Sequence, residues 1–180
     1  MRKVVLYHIV SLDGVAYEES DWFDDGGDEM IANLSQIIET QDDILLGRGT
    51  YDYWVGYWPT SDFQPFADFI NTTRKHVFTS SKPDQEWANT TLVSAPVTDY
   101  VADLKEQSGG DIGIHGSISL AQSLLRAGLV DELRLVVAAA VAGQGRRVFE
   151  GDALQKLQLL DVQRSLKGTL FLTYRCPTTP

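Results

Sequence analysis

Residues 111–133 read DIGIHGSISLAQSLLRAGLVDEL and contain the clearest pattern in this 180-residue chain. A short apolar run, Ile112 to Ile114, precedes a turn at His115 to Ser117. Apolar residues then recur at helical spacing, at Ile118, Ala121, Leu124 and Leu125. This order predicts a strand, a tight turn and a helix.

The turn at Gly116 and Ser117 has two interpretations. The first N–H groups of a helix are free and the helix dipole is positive there, so a phosphate can bind at this turn. Alternatively, Gly116 only makes the turn and Ser117 only caps the helix. The pattern by itself leaves both interpretations open.

Strands and helices alternate on both sides of this segment. A buried strand is predicted at Lys3–Val10, and an amphipathic helix at Asp28–Thr40. The last two segments predict a β-hairpin, at Leu157–Ser165 and Thr169–Arg175. Further strands are predicted at Asp43–Gly47, Lys75–Phe78, Thr90–Val93 and Glu132–Val141. Since no linker or repeat interrupts this order, we expect one domain over residues 1–180.

Composition and charge exclude several classes of partner. A formal net charge of -10 repels nucleic-acid phosphates and anionic membrane surfaces, so neither is expected as a partner. The single cysteine, Cys176, allows no internal disulfide and no cysteine-based zinc site, and we predict no metal centre. No apolar segment is long enough for export or for a membrane span, so we expect a cytoplasmic protein.

A second strand-to-helix turn carries a cation. Arg48 follows the strand that ends at Gly47, and its planar fork of donors suits phosphate, while Thr50 adds a hydroxyl. Two such turns suit a ligand with more than one phosphate, such as a dinucleotide. An arginine at such a turn also commonly pairs with a carboxylate.

Three other groups of residues are candidates for the site. Thr79 to Ser81 can receive a single phosphate at a strand end, or form an ordinary solvated turn. Asp28 and Glu29 either complement a helix dipole or face a cleft, where one of them orients or protonates a substrate. An aromatic cluster from Tyr51 to Trp58 is interpreted as a cap on the core or a subunit contact rather than a platform for bases.

Together these residues resemble the dihydrofolate reductase-like superfamily, in the branch built on the C-terminal reductase domain of bacterial riboflavin biosynthesis. The matching stretches are SLDG (11–14), DWFDD (21–25), LLGRGTYDYW (45–54), NTTRKHVFTSS (71–81), GIHGSISLAQSLLRAGLVDELRL (113–135) and GQGRRVFEG (143–151). The resemblance implies an α/β three-layer fold, with a mixed, mostly parallel central sheet, flanking helices and an antiparallel C-terminal strand.

The resemblance also implies a cofactor, NADPH, laid across the carboxyl ends of the strands. In the matching stretches, three segments approach its phosphates and one loop flanks the nicotinamide. The phosphate-binding residues implied are Gly47, Arg48, Gly49, Thr50, Thr79, Ser80, Ser81, Gly116, Ser117, Ile118 and Ser119, and the nicotinamide loop runs from Val10 through Ala16. Dihydrofolate reductases have adjacent glycines joined by a cis peptide at the turn where this chain has His115 before Gly116, so the state of that bond is an open hypothesis.

The implied activity is hydride transfer from NADPH to a small molecule, either a pterin-like compound or a ribosylated pyrimidine, with Asp28 as the candidate catalytic carboxylate. A homodimer also fits the resemblance. The alternative is a nucleotide-binding or regulatory protein that keeps the reductase scaffold without catalytic activity.

Overall fold

A computed structural model describes residues 1–18, 21–150 and 154–177 of the protein. Gly151, the last residue of the GQGRRVFEG stretch, lies outside them. The described chain forms one eight-stranded sheet in the order β4-β3-β2-β5-β1-β6-β8-β7. Its strands are β1 (Val4–Val10), β2 (Gln41–Gly47), β3 (Arg74–Phe78), β4 (Thr90–Val93), β5 (Asp111–His115), β6 (Glu132–Val137), β7 (Gln158–Arg164) and β8 (Leu170–Arg175).

Parallel pairing dominates the sheet. The six strands from β4 to β6 pair in parallel, whereas β8 runs antiparallel to β6 and to β7. The mixed, mostly parallel sheet with an antiparallel C-terminal strand is therefore confirmed.

Helices cover both faces of the sheet. They are α1 (Asp28–Ile38), α2 (Arg48–Trp54), α3 (Phe66–Thr72), α4 (Val97–Glu106) and α5 (Ile118–Arg126), with a 3-10 turn at Trp58–Thr60. Because successive strand residues point to opposite faces, Leu6 packs in the core with α4 and α5, while Tyr7 packs in the core with α1, α2 and α3. This gives the three layers that the resemblance implies.

The strand predicted at Glu132–Val141 is shorter in the structure, where β6 ends at Val137. Both neighbours of β6 pair with it only as far as Val137, which lies opposite Val10 of β1 and Leu170 of β8. The chain turns instead toward the loop after β1. There the carboxylate of Asp13 accepts the N–H groups of Ala142 and Gly143, both at 2.9 Å.

No helix in the described part of the chain is both long enough and apolar enough to cross a membrane.

The edge strand β7 is a candidate association surface. All of its residues are exposed, including Leu159, Leu160 and Val162, which are 40% to 53% exposed. One side of β7 pairs with β8, and its other side carries unpaired backbone donors and acceptors at the end of the sheet. An antiparallel strand edge can pair with its own copy about a twofold axis. We therefore propose that β7 forms the interface of the expected homodimer.

Charging this edge should separate the dimer. In the double variant Leu159→Lys, Val162→Lys we expect a single species of monomer mass by sedimentation velocity at several concentrations. We expect the unaltered protein to sediment as a dimer under the same conditions. Leu92→Lys, on the opposite edge strand β4, is the matched control because Leu92 is 45% exposed. If the double variant remains a dimer, the interface lies elsewhere.

Candidate functional site

A large cavity lies where β1, β2 and β5 end. Its volume is about 1070 Å³, slightly above the roughly 300 to 1,000 Å³ usual for ligand pockets. Its lining comes from the ends of these strands, the first turns of α2 and α5, the loop before α1 and the aromatic segment after α2. Ligands of parallel α/β sheets bind at this edge, so the cavity is the candidate site.

The two predicted glycine turns meet inside this cavity. The Ser117 hydroxyl accepts the Gly47 N–H at 3.0 Å and donates to Thr50 Oγ1, also at 3.0 Å. Gly116 has a φ of +68°, and a Cβ on it would lie 2.8 Å from Trp54 Cζ2, so only glycine fits there. The two hydrogen bonds of Ser117 thus hold the turn after β5 against the turn after β2.

The peptide bond before Gly116 departs from the dihydrofolate reductase pattern. Gln64–Pro65 is the one cis bond among the described residues, so His115–Gly116 is trans. The cis peptide that the resemblance left open is therefore not retained.

Arg48 connects α2 to the end of β3. Its Nη1 donates to Thr79 Oγ1 at 3.3 Å and to Ser81 Oγ at 2.9 Å. Its Nε donates to the carboxylate of Asp52 at 2.7 Å. The pairing of Arg48 with a carboxylate is therefore observed, and Arg48 also contacts the segment predicted to receive a phosphate.

The predicted cofactor residues fall into two groups. Eight of them line the cavity: Gly47, Arg48, Gly49, Thr50, Gly116, Ser117, Ile118 and Ser119. The others lie outside its lining: Val10, Ala16, Thr79, Ser80 and Ser81. Val10 and Ala16 are buried and form a β-bridge with each other, and their neighbours Ile9 and Tyr17 face the cavity instead.

Asp28, the predicted catalytic carboxylate, is exposed and lies outside the cavity lining. A role for Asp28 in the cleft therefore has no geometric support. Asp25 lines the cavity and is only 3% exposed. Hydrogen bonds from Ser165, at 2.5 Å, and from Thr169 hold the pKa of the Asp25 carboxyl below its usual range, so this group is ionised at neutral pH.

Two histidines that sequence reasoning did not place in the site line the cavity. His115 Nε2 lies 2.8 Å from Gln41 Oε1, and burial, together with the charge of His8, lowers its pKa to about 3. His8 is 3% exposed and its Nδ1 lies 3.2 Å from the Ile9 carbonyl oxygen. Burial also lowers the pKa of His8 to about 4, so both imidazoles are neutral at pH 7.

The aromatic cluster forms one wall of the cavity. Tyr53, Trp54, Tyr57 and Trp58 line it. Trp58 packs edge-on against Trp54 at 5.8 Å and against Phe66 at 4.7 Å between ring centroids. Within the described residues, no group of three or more acidic, histidine or cysteine side chains has a metal-binding arrangement.

Comparison with known proteins places the chain in a family. It belongs to the RibD C-terminal domain family, whose sequence model matches residues 2–171. That family is the reductase branch of the dihydrofolate reductase-like superfamily. Two proteins of Bacillus subtilis (strain 168), both described as uncharacterized, are each 30% identical to it: YwjB over 151 residues (82% of this chain and 83% of YwjB) and YyaP over 167 residues (88% and 85%).

Solved structures share the fold at low sequence identity. A putative riboflavin biosynthesis protein from Shewanella sp. PV-4 is 19% identical, with a TM-score of 0.78, covering 97% of this chain and 99% of that one. A diaminohydroxyphosphoribosylaminopyrimidine deaminase/5-amino-6-(5-phosphoribosylamino)uracil reductase from Thermotoga maritima is 17% identical, with a TM-score of 0.70, covering 98% of this chain and 57% of that one. The chain thus has a riboflavin-pathway reductase-like fold.

Proposed function

We propose that the protein is an NADPH-dependent reductase that transfers a hydride to a pterin-like compound or a ribosylated pyrimidine. The observation that supports this most directly is the meeting of two glycine turns, linked through the Ser117 hydroxyl, at the carboxyl edge of the sheet. Each turn begins a helix and faces the same cavity. The pyrophosphate of a dinucleotide can bind where two such turns meet.

The residues present fit the cofactor. A Cβ built on Gly49 would meet no protein atom within 4 Å, so the first turn of α2 borders open space. The first turn of α5 also faces the cavity, and its leading N–H groups are free to bind an anion. Arg48, with Thr79 and Ser81 around it, offers the charged donors and hydroxyls that a ribose 2'-phosphate needs.

The chemistry divides between cofactor and protein. NADPH, when bound, supplies the hydride. The aromatic wall around Trp54 and Trp58 excludes water, and the turns at Gly47 and Gly116 hold the cofactor phosphates in place. We call the lining residues from β1, from the loop before α1 and from α1 the substrate half of the cavity; they include His8, Glu18, Asp24 and Asp25.

A titration tests both the cofactor and its selectivity. Trp54 and Trp58 line the cavity, so NADPH should quench tryptophan fluorescence as it binds. Arg48→Gln is expected to weaken NADPH binding by roughly tenfold to hundredfold, because charge-assisted hydrogen bonds contribute about 1.5 to 3 kcal/mol. NADH, which lacks the 2'-phosphate, should be affected much less.

Lys82→Gln is a control for loss of charge, since Lys82 is exposed and pairs with Glu86. If Arg48→Gln weakened the binding of NADPH and of NADH equally, Arg48 would not be a ligand of the 2'-phosphate. Binding of neither dinucleotide to the unaltered protein would contradict the proposal. Tight NADPH binding without oxidation by any pterin or ribosylated pyrimidine would favour the alternative of a regulatory protein on this scaffold.

A further inference from the structure

We propose that Nδ1 of His115 accepts a hydrogen bond from an N–H group of the bound ligand, and that Gln41 holds the imidazole in the tautomer that this contact requires. The inference rests on the proposed reductase function and assigns a recognition residue to it. The N–H group belongs either to the heterocyclic ring of the substrate or to the carboxamide of the nicotinamide.

Gln41 determines which nitrogen of His115 carries the proton. Gln41 Oε1 can only accept a hydrogen bond and lies 2.8 Å from His115 Nε2, so Nε2 is protonated. Because the imidazole is buried and neutral at pH 7, Nδ1 then presents a lone pair. Nδ1 has no hydrogen-bond partner among the described residues and is not enclosed by protein atoms. It is therefore open to the cavity that His115 lines, although His115 as a whole is only 2% exposed.

The contact between Gln41 and His115 requires a glycine at position 113. Gly113 lies two residues before His115 in β5, on the same face of the sheet. A Cβ built on Gly113 would lie 2.1 Å from Gln41 Oε1, so only glycine leaves room for this side chain to reach the imidazole. In this position the Gln41 Nε2 group is buried without a partner. An unpaired buried donor destabilises a folded protein, so the contact points to a role in orienting His115 rather than in stability.

Aromatic rings surround the imidazole. Tyr7, Phe66 and Phe69 lie 5.5, 5.4 and 6.0 Å from it between ring centroids. Tyr7 belongs to the substrate half of the cavity and Phe66 packs against Trp58 of the aromatic wall, so His115 lies between these two regions. Planar groups pack well against aromatic neighbours, which favours a heterocyclic ring or a nicotinamide over a ribose hydroxyl as the partner of Nδ1.

The partner of Nδ1 has to be a donor. Pterin and uracil rings carry N–H groups, and so does the nicotinamide carboxamide, whereas carbonyl oxygens only accept hydrogen bonds. A ligand that filled this part of the cavity without a donor would leave Nδ1 buried and unpaired. The contact should therefore favour an N–H group by about tenfold or more.

Calorimetric titration of the protein saturated with NADP⁺, which prevents turnover, tests the substrate as the source of the N–H group. The probes are dihydropterin and 5-amino-6-(5-phosphoribosylamino)uracil, which both carry ring N–H groups. His115→Phe removes the acceptor but keeps an aromatic ring, and it should weaken the tighter of the two probes by about tenfold or more. His115→Asn, whose Oδ1 can replace Nδ1 as the acceptor, should weaken that probe less.

These two variants separate recognition from packing. Phe fills the space of the imidazole better than Asn, so the melting temperature should be higher in His115→Phe than in His115→Asn. The affinity for the probe should follow the opposite order. If His115 only filled space, both quantities would follow the same order.

Gln41→Met tests the positioning role of Gln41. Met is similar in length and lacks the amide oxygen, so this variant should weaken the tighter probe severalfold. In the His115→Phe background the same substitution should have no further effect, because Gln41 acts only through His115. An equal loss in both backgrounds would mean that Gln41 does not act through the imidazole.

The 3-acetylpyridine analogue of NADP⁺, which has a methyl group in place of the carboxamide NH₂, tests the cofactor as the source. If the carboxamide is the donor, the unaltered protein should bind NADP⁺ more tightly than the analogue, and His115→Phe should remove that preference. The inference is overturned if His115→Phe changes neither the affinity for the probes nor the preference for NADP⁺, or if His115→Asn binds more weakly than His115→Phe. Failure of NADP⁺ and NADPH to bind the unaltered protein would instead contradict the proposed function.

Discussion

Replacing Gly49 with Val is expected to weaken NADPH binding by up to about a hundredfold while the protein remains folded. Gly49 lines the cavity between Arg48 and Thr50, and a Cβ at this position would meet no protein atom within 4 Å. The backbone there is helical and not left-handed, so a larger residue brings no conformational strain. The added isopropyl group would occupy space beside the turn that the proposed cofactor needs.

The size of the effect follows from the cost of forcing atoms into an occupied site. Overpacking by a few methyl groups costs typically about 1 to 3 kcal/mol, and 3 kcal/mol corresponds to a loss of about a hundredfold in affinity. Gly49→Ala, with one carbon, should give a smaller loss in the same direction. Both variants should keep the melting temperature and circular dichroism spectrum of the unaltered protein.

The control is the same substitution at Gly56. Gly56 is exposed, lies outside the cavity lining, and would make only an ordinary contact of 3.7 Å with the Tyr53 carbonyl oxygen. Gly56→Val should therefore bind NADPH normally in the fluorescence titration. Full NADPH affinity in Gly49→Val would mean that the cofactor does not approach this turn.

The position of the two glycine turns could be predicted because the signal for each turn lies in neighbouring residues of the sequence. Each turn follows an apolar run and precedes a helix, so the order strand, glycine turn and helix places Gly47 and Gly116 at the same sheet edge once the strands are parallel. Hydroxyl residues next to the glycines then indicate their chemistry. In the structure the two turns touch through Ser117, and the parallel pairing of β2 and β5 brings them to the same edge.

The substrate side could not be predicted in this way, because its contacts join distant parts of the chain. Asp25 accepts a hydrogen bond from Ser165, which lies 140 residues later in the chain. Sequence periodicity does not indicate such a distant contact. The prediction therefore settled on Asp28, which begins α1 and is exposed. His8 was missed for a related reason: an apolar strand shows that its residues are buried, but not that one of them borders a cavity.

The end of the sheet opposite the cavity supports the second large prediction. Asp43 is completely buried in β2 and is surrounded by positively charged or ring N–H groups. Its carboxylate lies 2.6 Å from Arg2 Nη1, 2.9 Å from Arg74 Nη2 and 2.8 Å from His76 Nε2. These partners come from the residues before β1 and from β3, so one carboxylate joins three segments of the chain.

Asp43→Ala is expected to lower the free energy of unfolding by about 3 to 5 kcal/mol, as is usual when one member of a buried ion pair is removed. The reason is that Arg2, with a side chain only 3% exposed, would lose a buried counter-charge. For a chain of this size the melting temperature should fall by roughly 6 to 20 °C. Asp42→Ala is the matched control, because Asp42 is the next residue, pairs with the same arginine and has a side chain 44% exposed. It should cost about 1 kcal/mol or less.

The pH dependence of this contribution has a definite sign. Burial alone would raise the pKa of the Asp43 carboxyl, but hydrogen bonds and charge from His76 and Arg2 outweigh it and hold that pKa below its usual value. A carboxyl with a lowered folded-state pKa stabilises the protein fully above its unfolded pKa of about 3.9, and the stabilisation is lost as the pH falls through the folded-state value. In urea denaturation, the difference in stability between the unaltered protein and Asp43→Asn should therefore be constant from pH 7 to pH 5 and shrink below about pH 4. A difference that grew on acidification would mean that the Asp43 carboxyl is protonated in the folded protein and that the network is held by neutral hydrogen bonds instead.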